Sequence, residues 1–277
     1  MSITNQVGVE TGIPSAVNYV SRGSGPPIVM IHGIAASLHD WDDFFPDLIQ
    51  AGFAGYALDL LGHGDSAKPD SREYHVDWLL DHFIGWMDSI AMNEPAVLMG
   101  HSLGGYLALE YARRFPGRTR ALVLVAPFYS CLQLPPLLRP VYRQPFISSL
   151  VASRTPDWMF RFVVDLTSLS MGHSVGGLHA LPKSVRAQTA LDYARTAPGI
   201  YNVPNTIRDL TEYLPSISAP TLVIWGKRDR TLATASFPKL VAGLPKAQGL
   251  SIDTGHVPHQ TDSHWFNGHV LGFLRNL

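Results

Sequence analysis

The run Val97-Leu98-Met99-Gly100-His101-Ser102-Leu103-Gly104-Gly105 constrains this chain more than any other stretch. An apolar segment ends in Gly-x-Ser-x-Gly, and a helical pattern from Tyr106 to Ala112 follows. The reading is strand, sharp turn, helix. Such a turn holds the serine in a strained backbone conformation and lifts its hydroxyl clear of the sheet. A Cβ on either flanking glycine would clash with the neighbouring strand and helix. Leu103 opens the helix, so its N–H points at whatever Ser102 attacks. Ser102 is the candidate nucleophile.

The stretch Met171-Gly172-His173-Ser174-Val175-Gly176-Gly177 repeats almost the same letters. Its context differs. Asp165 to Ser170 before it is no clean apolar strand, and Pro182 interrupts any helix after little more than one turn. Ser174 is read as part of a loop or short helix.

An unactivated serine is a weak nucleophile; it needs a base, and the base needs an orienting acid. One known arrangement runs Ser, then acid, then His along the chain, each just past a strand. Pro220 to Gly226 is an apolar strand and a glycine turn leading to Asp229. Leu250 to Ile252 is a strand end, followed by Gly255 and His256. Asp229 is therefore the candidate acid and His256 the candidate base. The plain alternatives are a solvated loop carboxylate and a structural loop histidine. Asp253 is a rival acid, but it sits too near His256 in sequence to share the strand-end arrangement. His259 lies a few residues past the turn, and His264 falls where the last helix begins. The strand Ala121 to Ala126 runs into Pro127-Phe128 and offers no competing acid.

An oxyanion site completes the set. Ile28 to Ile31 is an apolar strand ending in His32-Gly33. The N–H of Ile34 just after it would join that of Leu103. Two preorganised donors stabilise the developing oxyanion, and removing one typically costs about 3 kcal/mol. The His32 side chain is read as structural, fixing the loop.

These pieces together resemble the α/β-hydrolase superfamily, in its group of small capped hydrolases. The matching residues are His32-Gly33, Trp41, Asp59-Leu60-Leu61-Gly62-His63-Gly64-Asp65-Ser66, the Ser102 turn, Phe115-Pro116, Trp225-Gly226 to Asp229, and Gly255-His256. The resemblance implies a mostly parallel twisted sheet with helices on both faces and an inserted helical cap. It also implies the triad Ser102, Asp229, His256 and the oxyanion hole of Ile34 and Leu103. It does not imply a substrate, because this fold hosts many reactions. Haloalkane dehalogenases and epoxide hydrolases of the fold carry aspartate where this chain has Ser102. Carbon–carbon hydrolases of ring-cleavage pathways usually carry an aromatic residue beside the base, where this chain has Val257-Pro258.

The rest of the chain fits that frame. A short hairpin is expected over Val17 to Gly25, a buried strand at Tyr56 to Asp59, and a helix from Val76 to Met92. Residues 1–127 and 216–277 are expected to form the core. Residues 128–215, rich in proline and broken helical pieces, are expected to form the cap. Its apolar side chains, among them Leu132, Leu134, Leu137, Leu138, Phe146, Ile147, Trp158, Met159, Phe160, Phe162 and Val163, would pack on the core and roof the site. In particular Phe146, Trp158, Phe160 and Phe162 are expected to form an apolar roof over Ser102.

Charged residues make up only 16% of the chain, below the roughly 25% of an average soluble domain. Apolar surface is therefore expected to line a pocket or a partner face. The net charge of −1 gives no case for nucleic acid or an acidic membrane. Met1 to Gln6 has neither a basic nor an apolar stretch, so no signal peptide is expected. No run approaches the roughly 18 apolar residues of a membrane span. The single cysteine, Cys131, permits no internal disulfide, fits a reducing cytoplasm and reads as a packed thiol. No metal or organic cofactor is implied. The expected activity is hydrolysis of carboxylic esters with apolar groups through an acyl-enzyme. The alternatives are carbon–carbon, thioester or acyl-transfer chemistry on the same triad, or a ligand receptor of the same fold.

Overall fold

A computed structural model describes residues 5–6, 16–70, 74–90, 92, 94–134, 153–170 and 180–277. Strands β1 (Asn5–Gln6) and β2 (Ala16–Val17) form a small antiparallel ladder. The main sheet holds β3 (Tyr19–Gly23), β4 (Pro27–Ile31), β5 (Ala54–Leu58), β6 (Ala96–His101), β7 (Thr119–Val125), β8 (Thr221–Gly226) and β9 (Ala247–Ile252). Their spatial order is β3-β5-β4-β6-β7-β8-β9, and all pairs are parallel except β3 with β5.

Near-continuous apolar runs such as Val97-Leu98-Met99 mark strands buried on both faces, and successive side chains point to opposite faces. On one face Val29, Leu98, Leu122 and Val223 pack against Leu79, Phe83, Leu107 and Phe237. On the other, Met30, Val97, Met99 and Val123 pack against Trp41, Phe45, Phe266 and Val270. Of these, Phe45 comes from α1 (Phe45–Gln50), Leu79 and Phe83 from α2 (Val76–Ser89) and Leu107 from α3 (Leu103–Arg114), the others from a 3₁₀ turn at Leu38–Trp41 and from helices late in the chain. Between β7 and β8 lie α4 (Asp157–Ser170), α5 (Lys183–Arg195) and 3₁₀ runs at Pro198–Thr206 and Thr211–Ser216. The chain then returns to α6 (Ser236–Gly243), the short α7 (Pro258–Thr261) and α8 (Ser263–Leu274). No helix among the described residues is long and apolar enough to cross a membrane.

The hairpin expected over residues 17–25 does not form. Tyr19 to Gly23 pairs along its whole length with β5. The two expected arms, residues 17–20 and 21–25, instead share one continuous edge strand. The backbone therefore turns at Gly25 (φ 113°) and steps past a strand rather than pairing back on itself.

The inserted segment is fastened to the core by both backbone and side chains. Ala197 N–H donates to the Gly62 carbonyl at 2.8 Å, and Leu210 N–H to that of Tyr129 at 2.9 Å. Ile200 and Val203 are wholly buried. Ser37 Oγ donates to Asp192 at 3.0 Å, and Arg208 forks onto both oxygens of Asp77 at 2.8 Å. Asp192, the partner of Ser37, is almost wholly inaccessible, and burial pushes its carboxyl up to about 6.

Candidate active site

Strands β4, β6, β8 and β9 deliver the candidate groups Ile34, Ser102, Asp229 and His256 past their C-terminal ends, where open parallel sheets place their sites. Ser102 has φ 50° and ψ −111°, and it is the N-cap of α3. Close packing forces this turn. A Cβ on Gly100 would lie 2.3 Å from the Gly104 carbonyl oxygen, and one on Gly104 would lie 2.1 Å from that of Ile31. Only glycine at both positions lets the helix start this near the sheet. The turn is held from below: Ser102 N–H donates to the Val125 carbonyl at 2.9 Å, and the Ser102 carbonyl accepts from Phe128 N–H at 2.9 Å.

Among the described residues two further non-glycine residues adopt positive φ, Ala35 at 55° and Ala126 at 41°. They flank the strand ends on either side of Ser102. Backbone strain gathered at one place marks a site whose geometry the surroundings impose.

His256 Nδ1 lies 2.7 Å from Asp229 Oδ2, and both side chains are buried. Asp229 Oδ1 accepts from the N–H groups of Thr231 (2.8 Å) and Leu232 (2.9 Å). Burial alone would raise the Asp229 carboxyl. The attraction and hydrogen bond of His256, with the two N–H donors, outweigh it and hold the group below the usual carboxylate range. An ionised Asp229 keeps the proton on His256 Nδ1 and leaves Nε2 as an acceptor. His101, next to Ser102, faces the His256 carbonyl through Nε2 at 3.3 Å, and the two rings are 5.0 Å apart. No hydrogen bond joins the Ser102 hydroxyl to His256 among the described residues; such contacts tighten when substrate is bound.

Ile34, Leu103 and Ser102 line one cavity of about 200 Å³. The Ile34 and Leu103 N–H groups have no protein acceptor among the described residues. Its far wall is Phe128, Leu134, Tyr193, Tyr201, Pro204 and Ile207, and its remaining lining includes Thr231 and Leu232 beside Asp229. None of the described lining residues is charged.

The expected roof is therefore corrected. Trp158 and Phe162 are 68% and 59% exposed and do not line the cavity. Phe160 stacks on Tyr193, with centroids 6.2 Å apart, joining α4 to α5. The roof comes instead from α5 and the 3₁₀ run after it. Leu137, Leu138, Phe146, Ile147 and Ser174 lie outside the described residues.

The rival groups are elsewhere. Asp253 is exposed and pairs with Arg228 at 2.8 Å. His264 is exposed on α8. His32 Nε2 accepts from Leu60 N–H at 3.0 Å, so its Nδ1–H donates to the Gly33 carbonyl at 2.7 Å. That ring fixes the loop, as its sequence position suggests. Asp59 does similar work, accepting from the N–H groups of Leu38 and Asp65 at 2.8 Å each. The Cys131 thiol donates to the Ile207 carbonyl at 3.6 Å.

His259 is also buried, between Trp41 (centroids 5.0 Å apart) and His101 (4.6 Å). Burial, reinforced by His101, pushes it down to about 3. Asp40 faces the same spot. Burial opposes its ionisation, but the neighbouring histidines, His101 foremost, hold its carboxyl at about 2.

A parallel sheet with helices on both faces and polar groups gathered beyond its strand ends defines an open α/β enzyme scaffold. Residues 26–262 match the sequence model of the alpha/beta hydrolase fold family. The chain therefore belongs to the α/β-hydrolase family. The 2-hydroxy-6-oxo-6-(2'-aminophenyl)hexa-2,4-dienoic acid hydrolase of Metapseudomonas resinovorans is 26% identical, over 98% of this chain and 89% of that protein. Bifunctional epoxide hydrolase 2 of Sus scrofa is 35% identical over 40% of this chain, but that match spans only 20% of the epoxide hydrolase. The structure of a thermophilic esterase from Thermogutta terrifontis superimposes with a TM-score of 0.79 at 21% identity, covering 100% of this chain and 98% of that one.

Proposed function

We propose that this chain is a serine hydrolase that cleaves small, uncharged carboxylic esters through an acyl-enzyme. The observation that carries the reading is Ser102, held in a strained turn and lining a cavity that Thr231 and Leu232 beside Asp229 also line and that has no charged group among its described lining residues. Ser102 Oγ attacks the ester carbonyl. His256 Nε2 takes its proton and returns it to the leaving alcohol. Asp229 holds the imidazole in the required tautomer. The N–H groups of Ile34 and Leu103 receive the oxyanion. Water then cleaves the acyl-enzyme by the same base. Residues 128–215 act as the cap, with Tyr193, Tyr201 and Ile207 closing over the acyl group.

A second reading is carbon–carbon cleavage of a dienone acid, favoured by the resemblance to the Metapseudomonas resinovorans enzyme along nearly the whole chain. Such a substrate carries a carboxylate. No described residue lining the cavity offers it a positive charge, and burying an unpaired carboxylate is costly. Neutral esters suit the cavity better.

The test is a series of p-nitrophenyl esters from acetate to decanoate. Each buried CH₂ contributes about 0.8 kcal/mol, or about fourfold in kcat/KM. The cavity is smaller than the roughly 300–1,000 Å³ of pockets for drug-sized ligands. kcat/KM should rise from acetate to about hexanoate and then fall. A steady decline from acetate onward, or faster turnover of dienone acids than of any ester, would overturn this reading.

A further inference from the structure

On the sheet face that carries Val97 and Met99, the next outward position of β6 is His101. Asp40, from the turn after β4, and His259, from α7, converge on it. One ligand atom from each of these three residues can be chosen so that all lie within 4.8 Å of one another. Asp40 Oδ2 is 3.4 Å from His101 Nδ1. Both of these atoms, and both ring nitrogens of His259, are buried with no hydrogen-bond partner among the described residues. Each buried orphan costs about 1–3 kcal/mol. Four of them in one place point to a shared partner that accepts lone pairs.

The remaining polar atoms of this cluster are already engaged. His101 Nε2 faces the His256 carbonyl at 3.3 Å. Asp40 Oδ1 accepts from Gln260 Nε2 at 3.0 Å. Metal-binding histidines and carboxylates are oriented from behind in this way. Zinc bonds of about 2.0–2.2 Å set tetrahedral neighbours roughly 3.3 Å apart, which the Asp40–His101 pair already matches. Asp40 also lines a cavity of about 220 Å³ with His39, Asp42 and Gln260.

We propose that Asp40, His101 and His259 form a binding site for a divalent ion of the zinc class. The ion would tie together the loop after β4, the Ser102 turn and the loop that carries His256. This site is independent of which ester, if any, the enzyme cleaves.

The whole chain, stripped with chelator and dialysed against low-micromolar zinc, should retain one zinc per chain by elemental analysis. Cobalt(II) in its place should give the visible absorption bands of a tetrahedral nitrogen–oxygen site. Asp40→Asn and His259→Gln should each lose the ion, and zinc should raise Tm in the parent chain but not in these variants. His264→Gln, on the surface, should retain the ion. The proposal is overturned if the parent chain shows no cobalt bands, a result that needs no variant to fold. It is equally overturned if His259→Gln keeps its zinc or His264→Gln loses it; a water would then be the shared partner.

Discussion

The aromatic side chains of the sheet and those of α4 meet opposite fates. Trp41, Phe45, Phe83 and Phe266 are at most 1% exposed, each wedged between a helix and a strand. Trp158 and Phe162 are more than half exposed. Both groups sit in helical patterns that look alike on paper. The difference lies in what faces them. Strands in a parallel sheet demand cover on both faces, whereas an inserted helix buries only the stripe its neighbours reach. For α4 that stripe holds Val164 and Ser168 toward α5, while Trp158, Phe162 and Leu166 face outward. The surplus of apolar residues is thus partly an exposed stripe on the insertion.

The largest effects are expected at the strand ends. Ser102→Ala should lower kcat for p-nitrophenyl butanoate by on the order of 10⁵ or more, while Ser174→Ala should leave it within about twofold. Loss of turnover in Ser174→Ala alone would move the nucleophile into the insertion. Next, Asp229→Asn should lower kcat by about 10⁴, as loss of the acid does in other triads. Asp253→Asn, on the exposed ion pair, should not. Equal losses would show that the acid lies elsewhere.

Stability offers a milder contrast. Phe83→Ala should destabilise by about 3–5 kcal/mol in urea denaturation, and Trp158→Ala by no more than about 0.5 kcal/mol. A large effect of Trp158→Ala would mean that α4 is covered in solution. Smaller still is the effect at the joint between the two regions. The Asp192 carboxyl is raised to about 6 by burial, so the folded state binds its proton more tightly than the unfolded chain does. Its contribution is therefore favourable at low pH and declines as pH rises from about 4 to about 6. Asp192→Asn keeps the shape without the charge. Its advantage over the parent should grow across that window to about 1–3 kcal/mol and then level off. An advantage that shrinks with rising pH would show that Asp192 is stabilised as the anion by Ser37 and Gln188.

The sheet was readable because its signals are local, and so were the positions of the candidate residues at its strand ends. Ser102, Asp229 and His256 each follow an apolar run and a glycine, and the strand–turn–helix order separates Ser102 from Ser174. Other features depend on distant partners. Whether Ser21 to Gly23 folds back on residues 17–20 or pairs with β5 is decided by a strand some thirty residues on. The cavity wall comes from Tyr193, Tyr201 and Ile207, which show no distinctive spacing, while the conspicuous cluster of α4 points away. Asp40, His101 and His259 lie in three separate stretches with no ligand motif, so only the folded chain brings them together.

The positive-φ residues Ala35, Ser102 and Ala126 lie just past the ends of three adjacent strands, β4, β6 and β7. At about 1 kcal/mol or more apiece, they consume roughly 3 kcal/mol or more of a net stability that is only about 5–15 kcal/mol for a whole domain. A scaffold of some sixty residues, with little margin to spare, could not hold such a turn against relaxation. The apolar sheet behind Ser102 thus sets a minimum size for this chemistry: a chain must be large before it can keep one serine in so unfavourable a posture.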